Sequence, residues 1–578
     1  MCGIWGLLSL DTIQYRIEKL YGKFMKIKHR GPDRTVWITN PNYIVGFHRL
    51  AIMDTSSQGD QPFTISYNYT SSNGHKYMRT IYLIVNGEIY NWKKLREEPD
   101  IKKVCANLNY TFRSGSDCEV LLPMFIGCVG TESYADERLF NIGIKEMLLR
   151  LDGEFAFGIF DIHQNLDTSK TFYNLWFGRD RFGIRPGFFT QLDDKTIAFG
   201  SELKSLERIC DSNSNRVEQL DPRTWYYWGG SSNSDKLVSY SKLYYSVGQL
   251  SVVSNPDPND VYRTCRMLLK KSVIDRLHSD REVGCLLSGG LDSSLVAAIA
   301  ADELKRCGRT LKTFSIGMEG SPDVKYAKIV AEHIGSTHTN FDVEQSEWIN
   351  AIRDVIRISE TFDITTVRAT TGQYLICKKI AETTGIKVLL IGDGSDEATG
   401  GYLYFHKAPN PMALHFETQR LLHWIHYFDV LRADRGVASN GLEARVPFLA
   451  HEFINFYFQV DPNMRIPRKH TLSNGQTNVY EKYLLRKSFD GTGLLPECVL
   501  WRKKEAFSDG VSSESKSWYQ IIQEQAEQIY SDEEFERLTN HYKNLSTKAD
   551  EQIVVPHTKE ALYYHQIFDE FYPEQPHV

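Results

Sequence analysis

Residues 281–306 read REVGCLLSGGLDSSLVAAIAADELKR, and this stretch decides the fold of the larger part of the 578-residue chain. Val283–Leu287 is a short apolar run, Ser288-Gly289-Gly290 a loop of small residues, and Leu291–Arg306 an Ala- and Leu-rich segment long enough for four helical turns. Strand, loop and helix in that order form half of a βαβ unit. Glycines let a backbone approach a ligand closely, successive N–H groups make a nest for an anion, and the helix dipole adds attraction. The loop therefore reads as a phosphate cradle, without the Gly-Lys-Ser/Thr ending of a Walker loop. Two glycines before a helix are common, so the weight falls on the whole string Ser288-Gly289-Gly290-Leu291-Asp292-Ser293-Ser294.

Downstream the pattern recurs. LKTFSIG (311–317) precedes the helical DVKYAKIVAEHIG, and KVLLIGDGSDE (387–397) ends an apolar run in a Gly/Asp loop, which predicts a parallel α/β sheet with helices on its faces. Upstream, residues 211–260 are rich in Ser, Asn, Asp, Gly and Pro and read as a crossing segment. The first 210 residues are short apolar runs broken by turn residues, the rhythm of a strand-rich domain. The expected division is a first domain over 2–215, a crossing over 216–255 and a second domain over 256–578, since one core does not serve a chain this long.

Composition narrows the class. With 67 Lys and Arg against 73 Asp and Glu, a net charge of −6 asks for no nucleic-acid partner. Ten cysteines without a CxxC pair argue against zinc and a disulfide framework and for a reducing compartment. The first twenty residues hold Asp11, Arg16, Glu18 and Lys19 with no sustained apolar core, and no stretch is long enough to span a bilayer, which predicts a cytoplasmic protein with no membrane partner. His423 and His426 in HWIH read as ordinary helix residues rather than metal ligands.

The chain opens MCGIWGLL. Once Met1 is removed, Cys2 carries a thiol and a free α-amine, and with an α-amino pKa near ~8 the amine can serve as base to its own thiol. Downstream lie KHRGPDR (28–34), FHRLAIMD (47–54), NGEIYNW (86–92), SGSDCEVLL (114–122), LDGEFAFGIFD (151–161) and GRDRFGIRP (178–186). With CGIWG, these motifs resemble the class II glutamine amidotransferases, N-terminal-nucleophile enzymes that hydrolyse glutamine to glutamate and ammonia. The resemblance implies an α/β/β/α sandwich. It makes Cys2 the nucleophile, Arg49 the partner of the glutamine carboxylate beside Ile52, Glu88 and Asp117 the partners of the α-amine, and Asn86 with the Gly87 N–H the donors to the tetrahedral oxyanion. Taken alone, Asn86-Gly87 is a hairpin-turn signal.

In the second half, the Ser288–Ser294 string, SPDVKYAKIVAEHIG (321–335), ETFDITTVRATTGQYL (360–375), the Gly392–Glu397 loop, GYLYFHKAPNP (401–411), FDVLRADRGVASNGLEARVPFL (428–449), LWRKKEAFSDGV (500–511) and PHTKEALYYHQIFDEFYP (556–573) resemble the synthetase half of the glutamine-dependent asparagine synthetase family. This implies a PP-loop domain of the adenine-nucleotide α-hydrolase-like type, with ATP, aspartate and glutamine as substrates, a β-aspartyl-AMP intermediate and ammonia channelled between the sites. Leu287, Ser288, Ile316 and Gly392 are then expected beside the nucleotide, and Ser288, Gly289, Gly290, Leu291, Asp292, Ser293 and Ser294 around pyrophosphate. Asp292 and Asp396 are the expected Mg2+ ligands, Thr365, Arg368 and Lys504 position substrate and phosphate, and Asp393 and Lys504 serve catalysis. Lys503 and Lys504 also read as plain surface charge. A homodimer is compatible with the sequence.

Three positions depart from the family's pattern. Ile391 and Asp393 stand where it has Ser and Glu, and Ala450 stands where it has Asp. Asp393 withdraws a carboxylate by one methylene, roughly 1.5 Å, and about 1 Å of misplacement can cost on the order of a hundredfold in rate. A slowed synthetase is expected. A synthetase-impaired or non-catalytic homologue, and a β-lactam-forming relative, remain as alternatives. An insertion around 67–80 reads as a lengthened hairpin.

Overall fold

The computed structural model describes residues 1–130, 137–209, 216–248, 257–318, 320–504, 511–512, 516–548 and 554–573. It divides into two compact units, Met1–Ser246 and Val247–Val578.

The first unit is built from β1 (Gly3–Ser9), β2 (Arg34–Thr39), β3 (Tyr43–Arg49), β4 (Phe63–Thr70), β5 (Lys76–Ile89), β6 (Gly153–Asn165), β7 (Thr171–Arg179), β8 (Phe188–Asp193), β9 (Thr196–Gly200), β10 (Glu218–Gln219), β11 (Thr224–Ser231) and β12 (Val238–Leu243). They form two six-stranded sheets in the orders β10-β8-β9-β1-β3-β2 and β12-β11-β7-β6-β5-β4. The period of two sorts the side chains into layers. Ile84, Ala156 and Phe160 meet Ile4, Leu8, Val45 and Phe199 between the sheets. Leu83, Val85, Phe155 and Phe157 turn the other way, toward Leu121, Leu122 and Phe125 of the helix Leu121–Val129. On the outer face of the first sheet, Phe24 of the helix Ile17–Met25 stacks on Trp37 with 5.0 Å between centroids. The result is the α/β/β/α sandwich.

Phe199 fixes the spacing of the two sheets. It is fully buried, and Cβ atoms added to Gly6 and Gly158 would lie 2.4 and 2.5 Å from its ring, so glycines on facing strands make the slot it fills.

The residues read as a crossing are only partly one. β11 and β12 add two strands to the edge of the second sheet, with Trp225 and Trp228 buried, so 224–243 belong to the first unit; residues 249–256 lie outside the described residues. The polar composition had a physical origin: β12 is an edge strand, exposed at five of its six residues. The 67–80 insertion is the β4–β5 hairpin, paired from Tyr67↔Arg79 to Thr70↔Lys76.

The second unit holds a parallel sheet of β13 (Val283–Leu286), β14 (Lys312–Gly317), β15 (Thr337–Asp342), β16 (Val388–Leu390) and β17 (Glu443–Arg445), in the order β15-β14-β13-β16-β17. The chain runs outward from β13 to β15, then returns to the other side of β13 with β16. Loops leaving neighbouring strands at such a reversal open a crevice at their carboxyl ends, where open α/β sheets bind ligands.

Phe199→Ala is expected to destabilise the first unit by about 3–5 kcal/mol, the range for emptying a fully buried aromatic site. Urea unfolding followed by tryptophan fluorescence measures it, and a loss under 1 kcal/mol would mean that the sheets close over the slot.

Candidate active sites

In the first unit the residues singled out by sequence gather at the ends of β1, β3 and β5. Cys2 precedes β1, half-buried against the inter-sheet core, and its thiol lies 3.7 Å from the Leu50 carbonyl. Its own carbonyl accepts from Arg30 Nε at 3.0 Å, and Arg30 is held by Glu202 at 2.7 Å in a fully buried ion pair. His29 and Lys204 close on the same carboxylate at 3.2 and 2.5 Å. Met1 is buried beside this cluster, with Arg185 Nη1 2.7 Å from its sulfur.

Asn86 and Gly87 lie inside β5, opposite Ala156 and Phe155, so the turn signal is overridden by sheet pairing. Gly87 has φ +139°, and a Cβ there would stand 1.9 Å from the Glu154 carbonyl, so no other residue fits. Asn86 is fully buried, and both its Oδ1 and Nδ2 lack a hydrogen-bond partner. An orphaned buried polar group costs about 1–3 kcal/mol, and sequences do not retain one without a reason.

Asp117 accepts from the Ile89 N–H at 2.6 Å, which ties it to the end of β5. Glu88 is buried nearby, and both carboxylates act on Cys118: burial first, then Asp117, Glu88 and Cys2, push the Cys118 thiol well above its ordinary value. Cys118 thus marks the point where Cys2, Glu88 and Asp117 converge. Arg49 is buried and directs its guanidinium at the following loop, at Ser56 O (2.5 Å), Asp60 Oδ1 (2.8 Å), Met53 O (3.3 Å) and the Asp54 carbonyl. Ile52 is buried in that same loop.

In the second unit the loops after β13 and β16 touch. A Cβ on Gly392 would lie 2.9 Å from the Ser293 nitrogen. Gly289, at φ +73°, passes so close to Tyr326 and Ala327 that a Cβ would meet backbone at 2.5 Å. Ser288 Oγ accepts from the Gly290 N–H at 3.3 Å and lies 2.9 Å from Ser293 Oγ. Ser294, in the first turn of the helix Leu291–Arg306, is fully buried with its hydroxyl unpartnered. Leu287 and Ile316 are buried at the ends of β13 and β14.

Asp292 and Asp396 come together, but through a residue that sequence reading missed. Lys482 Nζ lies 2.7 Å from Asp292 Oδ2 and 2.5 Å from Asp396 Oδ1. Lys504 reaches Asp396 Oδ2 at 2.6 Å, so it is no plain surface charge, whereas Lys503 is exposed. Burial opposes ionisation of Asp396, but Lys482 and Lys504 outweigh it and hold the carboxyl well below the usual carboxylate range. Asp396 and Asp292 in turn hold Lys504 above the ordinary lysine value against burial. The oxygens gathered here, from Asp292, Ser395 and Asp396, are hard donors that already share one cation, which fits Mg2+ arriving with phosphate oxygens. Among the described residues no group of three or more His, Cys, Asp or Glu side chains forms a cage that would bind a metal by itself.

Asp393 stands apart from this corner. Arg432 Nε and Nη2 both reach its Oδ1 at 3.1 Å, and burial, reinforced by Asp429 and opposed by Arg432, raises its pKa. Thr365 and Arg368 occupy the first turns of the helix Ile364–Thr383; Thr365 is exposed, and Arg368 is engaged by Glu560, Nε to Oε1 at 2.7 Å, rather than presented to the loops.

Comparison with known proteins gives the class first. A glutamine amidotransferase domain model matches residues 1–223, and an asparagine synthase model matches 264–416 and 408–577. The asparagine synthetases [glutamine-hydrolyzing] of Gallus gallus, Pongo abelii and Homo sapiens are 39%, 38% and 38% identical over 594, 593 and 593 residues, covering 99% of this chain and 94% of each relative. The chain belongs to the glutamine-hydrolysing asparagine synthetase family. The scaffold and β-lactam alternatives gain no support from these matches.

Two of the three departures are matters of packing. Ile391 is buried and its N–H bonds the Arg445 carbonyl at 3.1 Å, so the apolar side chain joins the core beside β16. Ala450 is the N-cap of the helix His451–Gln459 and provides no side-chain cap. Ala450→Asp is therefore expected to stabilise the second unit by roughly 0.5–2 kcal/mol with unchanged asparagine formation. Thermal unfolding alongside steady-state rates checks it; a rate increase instead would assign position 450 to the chemistry.

Proposed function

We propose that the chain makes asparagine from aspartate with ATP and glutamine, releasing AMP, diphosphate and glutamate. Removal of Met1 frees the amine of Cys2, which takes the thiol proton as the sulfur attacks the glutamine amide. Asn86 Nδ2 and the Gly87 N–H face the oxyanion, where donors fixed in advance stabilise developing charge. Glu88 and Asp117 hold the substrate's α-amine, and Arg49, with Ile52 beside it, meets the α-carboxylate by exchanging one of its loop partners. Collapse of the tetrahedral intermediate returns the proton to the leaving ammonia and leaves a thioester on Cys2, which water hydrolyses to glutamate and the free thiol; the ammonia is consumed at the second site.

There the small-residue loop Ser288–Ser294 and the helix it opens receive the β- and γ-phosphates of ATP, with Leu287, Ile316 and Gly392 against the nucleoside. Attack of the aspartate β-carboxylate on the α-phosphorus expels diphosphate and gives β-aspartyl-AMP. Ammonia then displaces AMP, and Asp393 takes the proton that the new amide sheds. Lys504 neutralises charge at the reacting phosphate. Mg2+, when bound, would be held by Asp292 and Asp396 together with phosphate oxygens and would neutralise phosphate charge. Thr365 positions the substrate, and Arg368 contributes after exchanging Glu560 for an anionic substrate group. Action in the cytoplasm and assembly as a homodimer go with this reading; light scattering on a sizing column tests the second.

The observation that carries the reading is the fully buried Asn86, its amide atoms unpartnered beside a glycine that no other residue can replace. Asn86→Ala is expected to lower glutamine-dependent turnover on the order of 10²–10³-fold without loss of thermal stability, because it removes an orphaned polar group. The test is a paired product assay with ATP, Mg2+, aspartate and either glutamine or ammonium, in wild type, Cys2→Ala and Asn86→Ala. Equal asparagine and diphosphate from both nitrogen sources, with only the glutamine reaction lost in the variants, supports the reading. Glutamate without asparagine would leave a glutaminase alone.

A further inference from the structure

Lys482 belongs to none of the motifs read from the sequence, yet the loops after β13 and β16 both converge on it. Its ammonium lies 2.8 and 2.7 Å from the two oxygens of Asp292, 2.5 Å from Asp396 Oδ1 and 3.2 Å from Ser395 Oγ. The side chain is 2 % exposed, against 26 % for that of Lys504. Its backbone is left-handed, φ 54° and ψ 31°, a conformation that a long side chain adopts only when its surroundings require it. The wall behind it is Gly401, where a Cβ would stand 1.9 Å from Lys482 Cε and 2.0 Å from Asp396 Oδ1. The chain has thus given up a side chain at 401 and a relaxed backbone at 482 to seat one ammonium between two carboxylates.

We propose that Lys482 is a resident stand-in for the divalent cation: it gathers Asp292, Ser395 and Asp396 into one oxygen-rich corner and bars a free metal ion from it until nucleotide phosphates are present. The proposal rests on the nucleotide site described under Proposed function. Two carboxylates on separate loops repel each other when desolvated and need an internal counter-charge to stay together. Lys482 supplies it from an enclosed position. Among the described residues Lys504 bonds Asp396 Oδ2 alone, with a more exposed side chain, so the two lysines are not redundant. With two aspartates and two lysines the corner is neutral as it stands and attracts no further cation. Phosphate oxygens shift that balance, so metal entry becomes coupled to nucleotide entry.

The test titrates Mn2+ into the full-length protein, followed by electron paramagnetic resonance, with and without a non-hydrolysable ATP analogue. Wild type is expected to bind Mn2+ at this corner only with the nucleotide. Lys482→Met, which keeps the stem and removes the charge, is expected to bind Mn2+ without nucleotide at least tenfold more tightly than wild type, and Lys482→Arg to behave as wild type. A merely structural lysine predicts no gain of metal affinity in Lys482→Met, and that result overturns the proposal. Should Lys482→Met fail to fold, wild type decides: nucleotide-free Mn2+ binding that disappears in Asp292→Asn equally overturns it. Neither readout requires asparagine formation, so failure of the catalytic reading and failure of this one are separable.

Discussion

Hydrogen bonding of β13 to β16 is the constraint on which the proposed nucleotide site depends. Only three residue pairs make it, Val283↔Val388, Gly284↔Leu389 and Cys285↔Leu390, but they set two loops from distant parts of the sequence side by side at one sheet edge. Leu389, Leu390 and Cys285 are fully buried, so the loops leave a dry floor. Charges placed just above such a floor interact strongly and need internal partners. The Asp292–Lys482–Asp396–Lys504 corner is the form that matching takes here, and the close passage of Gly392 over Ser293 shows how little room the strand pairing leaves between the loops.

The first unit reaches a comparable end by antiparallel means. β5 is long enough to pair with β4 at its start and with β6 throughout, and its last residues carry the site. Sheet pairing fixes the backbone of Asn86 and Gly87, and the missing Cβ of Gly87 lets β5 pass the Glu154 carbonyl. Their positions are thus set by a ladder of backbone bonds rather than by a flexible loop, which suits the donor role proposed for them. The Arg30–Glu202 pair does the same for Cys2 by holding its carbonyl.

Much of this was legible in the sequence, and what was not has physical causes. Apolar runs with a period of two and small-residue loops before Ala-rich helices are local signals, so the sandwich, the parallel sheet and the small-residue loop that opens the helix Leu291–Arg306 could be read directly. Lys482 could not, because EKYLLRK looks like any helix start and only tertiary packing brings its ammonium to Asp292, 190 residues away. Glu202 and Arg432 were hidden in the same way, although Arg432 sits inside the motif at 428–449. Arg49 and Arg368 were read as free forks, but a sequence does not reveal that loop carbonyls and Glu560 already engage them. The crossing read over 216–255 contains the division at Ser246/Val247, but 224–243 are paired strands, because an exposed edge strand such as β12 has the composition of a linker.

Asp393 is the one departure that packing does not absorb. A glutamate at that position would carry its carboxylate roughly one methylene further. In this chain Arg432 takes both of its short contacts on a single oxygen, Oδ1, and Oδ2 meets no protein donor among the described residues. Asp429 Oδ1 engages the same Nη2 of Arg432, and burial together with Asp429 pushes the Glu397 carboxyl well above its ordinary value. A short carboxylate held at one oxygen loses the freedom that a longer side chain would have to find its proton by rotation, and gains a fixed direction instead. The raised pKa of Asp393 strengthens it as a base. In the proposed amide-forming step, reach is reduced while basicity and orientation are favoured, so the two effects oppose each other, and the steepness of the geometric penalty makes reach the dominant one.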